Sequence, residues 1–374
     1  MAEVTTTTPS LVPLTTVDNL FSITHQFFDQ YRTSIAVFTG TVMTGWLYNK
    51  FWMNRKFYPT MHLIPGKTVL ITSGHTGIGY ETAKDLLRRG LLKKIYLLFI
   101  QIFVKLFLGA RVIITCHDMY QGNQAIRQLR AETECNEKSI RFMECDLCSL
   151  DSVRHFAKNY NDEEERLDVL ICNSSLLWTT DVVTKDGFNS IIQADYLSHF
   201  LLTNLLLNKL KQCRPSRIIN ISSSAHKTVR TIDWSDALTQ FKNYYLWGAY
   251  PTSKVFQILS AYKLKQDLFA TEGINVFAVN PGWIWTSNRL SIIEAFGFYP
   301  FLIVYPILRL FKIAFGIKPK TGAQTTIYCA VDPLLEHSGD LYFEHCAVSR
   351  PSWLCTHDAF ANQLWQVSCE AVEV

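Results

Sequence analysis

Tyr250 and Lys254 stand one helical turn apart in sequence, a spacing that puts two side chains on the same helix face. A phenol with an ordinary pKa of about 10 exchanges protons poorly near neutrality. A neighbouring ammonium stabilises the phenolate and brings that exchange within reach. The pair is therefore a candidate acid/base for interconverting an alcohol and its carbonyl, with Lys254 also placed to bind a ribose. Upstream, Arg217 to Ser222 reads as a strand that ends in Ser222-Ser223-Ser224. A serine there would hydrogen-bond the substrate oxygen and orient it toward Tyr250, and strand alternation favours Ser223. In a chain with 16 tyrosines, one such Tyr–Lys pair also arises by chance on a solvated helix face. Order gives it weight, because a serine-bearing strand end precedes it and Asn280-Pro281-Gly282 follows the next strand. Pro251 is tolerated only if the helix begins near Trp247, leaving the proline in its first turn.

A second constellation binds rather than reacts. Thr68 to Thr72 is a β-branched run, followed at once by Ser73-Gly74-His75-Thr76-Gly77-Ile78-Gly79 and then a helical pattern, Tyr80 to Arg89. In a strand–turn–helix, Gly77 and Gly79 let the backbone approach a pyrophosphate, and the helix N-terminus meets its charge. Asp146-Leu147, at the end of a later strand, offers a carboxylate for an adenine amino group. Its alternative role is a helix N-cap, which Ser149 or Asp151 could serve equally well.

The elements that must hold these groups alternate. Strands are expected at Arg111 to Thr115, Ile140 to Glu144, Val169 to Cys172, Arg217 to Ser222 and Asn275 to Asn280. Helices are expected at Gly122 to Glu132, Leu150 to Tyr160, Gly187 to Lys211 and Tyr250 to Ala270. This pattern predicts an α/β fold, a doubly wound, Rossmann-like parallel sheet covered on both faces. The 374 residues, 48% hydrophobic and 18% charged, suffice for such a domain. A net charge of +4 gives no reason for a nucleic-acid partner. Ten cysteines are scattered, and the single CxxC, Cys145 to Cys148, has no partner pair or histidine at zinc-site spacing, so no metal is expected.

A mean hydropathy of +0.07 is high for a soluble enzyme. The excess sits in three stretches. Residues 1–33 read as a flexible tail, and 34–53 as an N-terminal membrane-anchor helix. Its run from Ser34 to Tyr48 carries no charge, and Trp46, Tyr48, Phe51 and Trp52 sit at interfacial positions. Lys50, Arg55 and Lys56 follow it and place the catalytic domain, 67–374, in the cytosol. The alternative is an amphipathic or core helix. The stretch 91–109 is an apolar insertion whose removal restores a tight connection, Gly90 to Ala110; a retained intron and an interfacial helix are its alternatives. The third, within 291–320, is broken by Pro300 and Pro306 and suits an apolar lid.

Together these segments resemble the short-chain dehydrogenase/reductase family, and within it the retinol dehydrogenase-like branch. The family motif TGxxxGIG is met by Thr72, Gly77, Ile78 and Gly79, with Ser73 in place of the first glycine and Gly74 beside it. The resemblance continues through CDLCSLDSVR (Cys145 to Arg154), LDVLICN (Leu167 to Asn173), HFLLTNLLL (His199 to Leu207), RIINISSSAH (Arg217 to His226), YPTSK (Tyr250 to Lys254) and NPGWIWT (Asn280 to Thr286). It implies Ser223, Tyr250, Lys254 and Asp195 as the catalytic set. It implies cofactor contacts from Thr72, Ser73, Gly74, His75, Thr76, Gly77, Ile78, Gly79, His117, Asp146, Leu147, Asn173, Tyr250, Lys254, Pro281, Gly282, Ile284 and Thr286. NADP is favoured and NAD stays open: His117, followed by Asp118, stands where NADP-using relatives commonly carry arginine, and His75 is near in sequence to the phosphates.

The resemblance further implies an apolar alcohol or carbonyl substrate, retinoid-, steroid- or lipid-like, with Trp283, Trp285 and Phe298 as candidate pocket residues. It also implies an endoplasmic-reticulum membrane location and is compatible with a homodimer. Some positions depart from the pattern. The family's NNAG reads Cys172-Asn173-Ser174-Ser175, its tetrad asparagine aligns with Asp195, and a glycine becomes Ser198. A carboxylate at 195 is expected to pair with Lys254 and alter its tuning. The alternatives to an ordinary enzyme are a slow one, or a cofactor-binding scaffold.

Overall fold

The computed structural model describes residues 14–48, 50, 62–90, 110–176, 183–239, 248–282, 284, 310 and 316–374. Short β-branched runs form β1 (Thr68–Ile71), β2 (Arg111–Cys116), β3 (Ile140–Glu144), β4 (Val169–Cys172), β5 (Ser216–Ile221) and β6 (Ile274–Asn280). Two shorter strands, β7 (Tyr342–Glu344) and β8 (Ala347–Val348), complete an 8-stranded sheet of order β3-β2-β1-β4-β5-β6-β7-β8. All pairings are parallel except β7 with β8. The chain reverses its winding between β1 and β4, which leaves a crevice beyond their carboxyl ends.

Helices cover both faces, as crossovers between parallel strands require. On one side α4 (Leu150–Glu163), α6 (Ser198–Gln212), α7 (Ala249–Glu272) and α9 (Asp358–Val372) bury Phe156, Leu201, Phe256 and Leu364 against Leu70, Leu170, Ile218 and Val276. On the other, α2 (Gly77–Gly90), α3 (Met119–Thr133) and α8 (Pro319–Val331) bury Leu86, Leu129 and Ile327 against Val69, Ile71, Ile171 and Phe277. Alternate residues of one strand thus feed opposite layers, which is why these strands read as unbroken apolar runs. A short α5 (Ser190–Ile192) continues into α6 through a π-helical turn, Gln193–Leu197, that carries Asp195.

The N-terminal expectations need correction. One helix, α1 (Leu14–Tyr48), begins well inside the stretch expected to be a loose tail. Apolar residues at Val17, Leu20, Phe21, Phe27, Phe28 and Tyr31 recur at helical spacing there, a signal hidden by the Thr-rich start. The charge-free run of the expected span, Ser34 to Tyr48, falls within α1, yet among the described residues no helix is long and apolar enough to cross a membrane. Ser34, Thr39, Gly40, Thr41, Thr44 and Gly45 dilute its apolar run, and Thr41 and Thr44 donate back to Val37 O and Gly40 O, at 2.8 and 2.7 Å. The insertion 91–109 lies outside the described residues, as does most of the lid. The lid's expected end at 320 is corrected: Ile317 bridges Ile284, and Pro319 already opens α8.

Candidate active site

The turn after β1 is closely built. Ser73 and Gly77 take left-handed φ values of 49° and 58°. Glycine adopts that conformation freely, whereas serine does so at some cost. A Cβ on Gly79 would lie 2.6 Å from Asn173 Nδ2 and 2.7 Å from Ser73 O, and one on Gly74 would lie 2.5 Å from Ile114 Cγ2. Thr72 ties this turn to β4, its Oγ1 accepting the N–H groups of Asn173 and Ser174 at 2.8 and 3.1 Å. Asn173 Nδ2 returns a bond to Thr72 O at 2.9 Å, and Ser73 Oγ donates to Ser174 Oγ at 2.9 Å. Thr76 and Ile78 lie on the same turn and the start of α2.

Around it stand the remaining cofactor candidates. His117 is exposed at the end of β2, and its ring centroid is 6.5 Å from that of His75. Burial and the facing His117 hold His75 below its ordinary value. Asp118 caps α3, accepting from Tyr120 N, Gln121 N and Gln121 Nε2 at 2.7, 3.0 and 3.1 Å. Asp146 is not the cap of α4; Ser149 is, accepting from Ser152 N at 3.2 Å. Asp146 Oδ1 instead accepts from Cys148 N at 2.9 Å, across the buried Leu147. Past β6, Pro281 leads into Gly282, whose φ is 85° and whose N–H meets Asn280 Oδ1 at 3.0 Å. Ile284 packs over Gly322, where a Cβ would lie 1.9 Å from its Cδ1. Thr286, Trp283, Trp285 and Phe298 lie outside the described residues.

Tyr250 occupies the first turn of α7 together with Pro251, whose missing N–H has no helical acceptor to lose there. Lys254 Nζ lies 5.1 Å from the centre of the Tyr250 ring. It forms an ion pair with Asp195 Oδ2 at 3.0 Å, both side chains being buried. Beyond this carboxylate, Nζ has no hydrogen-bond acceptor among the described residues. Asp195 also receives Leu176 N–H at 2.6 Å, Ser253 Oγ at 3.1 Å and Ser175 Oγ at 3.2 Å. Burial pushes its carboxyl above the usual carboxylate range, while the Lys254 ammonium and the Leu176 N–H pull it back.

The three serines after β5 separate by environment. Ser222 is buried and donates to Lys254 O at 2.9 Å; Ser224 is exposed. Ser223 is half-buried at the strand's end, accepting from Ala225 N at 3.2 Å. Two histidines that the sequence reading left without a role support this floor. His226 Nδ1 lies 2.6 Å from Ser223 O and its Nε2 accepts Ser352 N–H at 3.1 Å, so Nδ1 carries the proton. His199, fully buried, meets Thr72 Oγ1 at 2.8 Å through Nε2 and Asp195 O at 2.9 Å through Nδ1. The side chain of Gln257, one turn after Lys254, also meets Asp195 O. Only packing in space joins these residues; no motif spacing announces them.

The close backbone approach that Gly79 permits, and a Lys254 ammonium with no hydrogen-bond acceptor beyond Asp195 among the described residues, fit a dinucleotide laid from one to the other. A cavity of about 770 Å³ lies elsewhere, along α3 and β3 between Tyr120, Arg127 and Phe142. It belongs to the sheet edge and not to this chemistry.

A parallel sheet reversing at β1 and β4, with a tyrosine–lysine pair and a serine at its carboxyl end, defines a dinucleotide-dependent oxidoreductase. Residues 105–295 match the family model described as short chain dehydrogenase, starting inside the 91–109 insertion that separates the glycine turn from the rest. Mouse retinol dehydrogenase 13 is 35% identical over 334 residues, 89% of this chain and 92% of its own length. Human retinol dehydrogenase 12 is 33% identical over 311 residues, 83% of this chain and 88% of its own. The chain belongs to the short-chain dehydrogenase family and is an NAD(P)-dependent oxidoreductase. Within that family it falls in the retinol dehydrogenase-like branch. Among solved structures, an uncharacterized protein from Mycobacterium Paratuberculosis aligns with a TM-score of 0.59 at 26% identity, covering 86% of this chain and 98% of that one. The RhlG/NADP complex of Pseudomonas aeruginosa shares the fold at 0.54 and 21% identity, over 77% and 98%.

Proposed function

We propose that the chain interconverts an apolar alcohol, of the retinoid, steroid or lipid class, and its carbonyl with NADP, Tyr250 serving as acid/base. The bound nicotinamide supplies or accepts the hydride. In the direction of reduction, Ser223 holds the carbonyl oxygen and Tyr250 delivers a proton to it. Lys254 steadies the phenolate that remains and offers its unsatisfied N–H groups to the ribose. The observation that carries this reading is the Lys254 ammonium 5.1 Å from the Tyr250 ring, at the carboxyl end of the sheet. NADP is favoured because the Asp118 carboxylate is taken up by the cap of α3 and leaves His117 facing outward. In this reading the catalytic sheet faces the cytosol at the endoplasmic-reticulum membrane, where abundant NADPH drives reduction, with α1 touching the membrane and not crossing it.

The test uses the purified full chain, NADPH and a panel of all-trans-retinal, steroid ketones and medium-chain aldehydes. Wild type consumes NADPH with at least one of these. Tyr250→Phe binds NADPH equally and turns over at least about a hundredfold more slowly, the scale of a lost general acid. Cofactor binding without consumption across the panel would favour the scaffold reading instead.

A further inference from the structure

The ammonium that faces Tyr250 is not an isolated cation. Lys254 Nζ is 3.0 Å from Asp195 Oδ2 in a fully buried pair. The carboxylate is clamped from separate elements: Leu176 N–H at 2.6 Å and Ser175 Oγ at 3.2 Å from the segment after β4, and Ser253 Oγ at 3.1 Å from α7. The Ser253 hydroxyl is itself shared with Tyr250 O at 2.8 Å. Such a clamp leaves the carboxylate little freedom to turn away, so the cation is held beside an anion. Seen from the Tyr250 ring at 5.1 Å, the pair acts as a dipole, whose field is weaker than that of a lone charge. Among the described residues the other titratable group facing the pair is His199, on α6, kept neutral by burial at a value of about 4. The residues just after β5 that face this side, Ser222 and Ser223, carry no charge.

We propose that Asp195, gripped by Ser175, Ser253 and Leu176 N–H, is a positioning residue that damps the charge of Lys254 at Tyr250, so that alcohol oxidation, which needs the phenolate as base, works best in alkaline solution. This rests on the reading of Tyr250 as acid/base, and removing the carboxylate's charge restores a full cation beside the phenol. Ser175 deepens the effect, since its hydroxyl helps keep the carboxylate ionised; Ser175→Ala loosens the clamp and moves Tyr250 the same way by less.

The experiment reads the phenol directly, in the full chain, by NMR of 13Cζ-tyrosine, the Tyr250 signal being the one lost in Tyr250→Phe. Wild type, Asp195→Asn and Ser175→Ala are titrated with and without NADP, beside pH–rate profiles for NADP-dependent oxidation of the alcohol that corresponds to the best carbonyl of the panel. In Asp195→Asn the Tyr250 titration moves down by about one pH unit or more, the size of a newly uncovered neighbouring charge. Below the optimum the oxidation rate then rises about tenfold, with KM little changed. An unmoved Tyr250 titration in both folded variants overturns the proposal. If Asp195→Asn fails to fold, Ser175→Ala decides, by a smaller downward shift or none. A shifted phenol in a protein that reduces no substrate upholds the damping and refutes the acid/base role, so the failures are distinguishable.

Discussion

At the scale of single residues, cofactor choice turns on what one carboxylate is already doing. Asp118 follows β2 where a free acid would hold ribose hydroxyls, but its oxygens accept the opening N–H groups of α3. His117 beside it is a weak substitute for a phosphate-binding cation near neutral pH. Replacing His117 by arginine adds a permanent charge and a planar fork suited to a 2′-phosphate. We expect His117→Arg to tighten NADPH about tenfold, roughly 1.4 kcal/mol, and to leave NADH nearly unchanged. Dissociation constants for both, read by nucleotide fluorescence, check this; equal tightening of NADH would show that the 2′-phosphate does not sit there. The sequence displayed His117 and Asp118 side by side, but not which was engaged. That depends on where α3 starts, at Met119 and not near Gly122.

At the scale of elements, legibility followed length and periodicity. The β-branched runs of β1 to β6 and the turn between β1 and α2 were readable because each pattern is local and recurs in a fixed order. Strands β7 and β8 were not, being too short to show alternation, and they exist because β6 offers an edge to pair with. Helix α1 was half seen. Its charge-free end suggested a span, whereas its serines, threonines and glycines hold the apolar content below what crossing demands. That end still presents Val37, Phe38, Met43, Trp46 and Leu47 outward, Val37 being 64% exposed, with Lys50 Nζ 4.7 Å from the Trp46 ring. Burying such side chains gains roughly 1.5–3 kcal/mol each when complete, so an exposed group of them favours contact with lipid. Wild-type chain should therefore float with phosphatidylcholine–phosphatidylserine vesicles on a density gradient. Phe38→Ser with Trp46→Ser should weaken that partition about tenfold or more, without altering NADPH binding; flotation unchanged in the double variant would remove α1 from membrane contact.

At the scale of the whole molecule, His199 joins the two halves of the site. Its ring bridges Thr72, at the end of β1, to the π-helical turn that carries Asp195, with Gln257 of α7 packed on the same carbonyl. One imidazole thus spans the cofactor turn, the clamp on Lys254 and the catalytic helix, all from a buried position. Burial lowers its pKa from 6.5 to about 4, since a charged ring there would lose its water without gaining an anion. The folded chain therefore keeps His199 neutral over a range in which the unfolded chain protonates it. Between the two values the unfolded state binds more protons, so stability rises with pH across that window and falls as acid is added. Integrated from pH 6.5 down to about 4, the loss is on the order of 3 kcal/mol, a large share of a typical domain's stability. Urea unfolding at stepped pH reads it, with His199→Gln as the reference, because glutamine can bond Thr72 without titrating. We expect the wild-type curve to steepen below pH 6.5 relative to the variant, the two running parallel above it. Parallel curves throughout would mean that His199 finds water or an anion when protonated, and that the halves of the site are joined by packing and not by this ring.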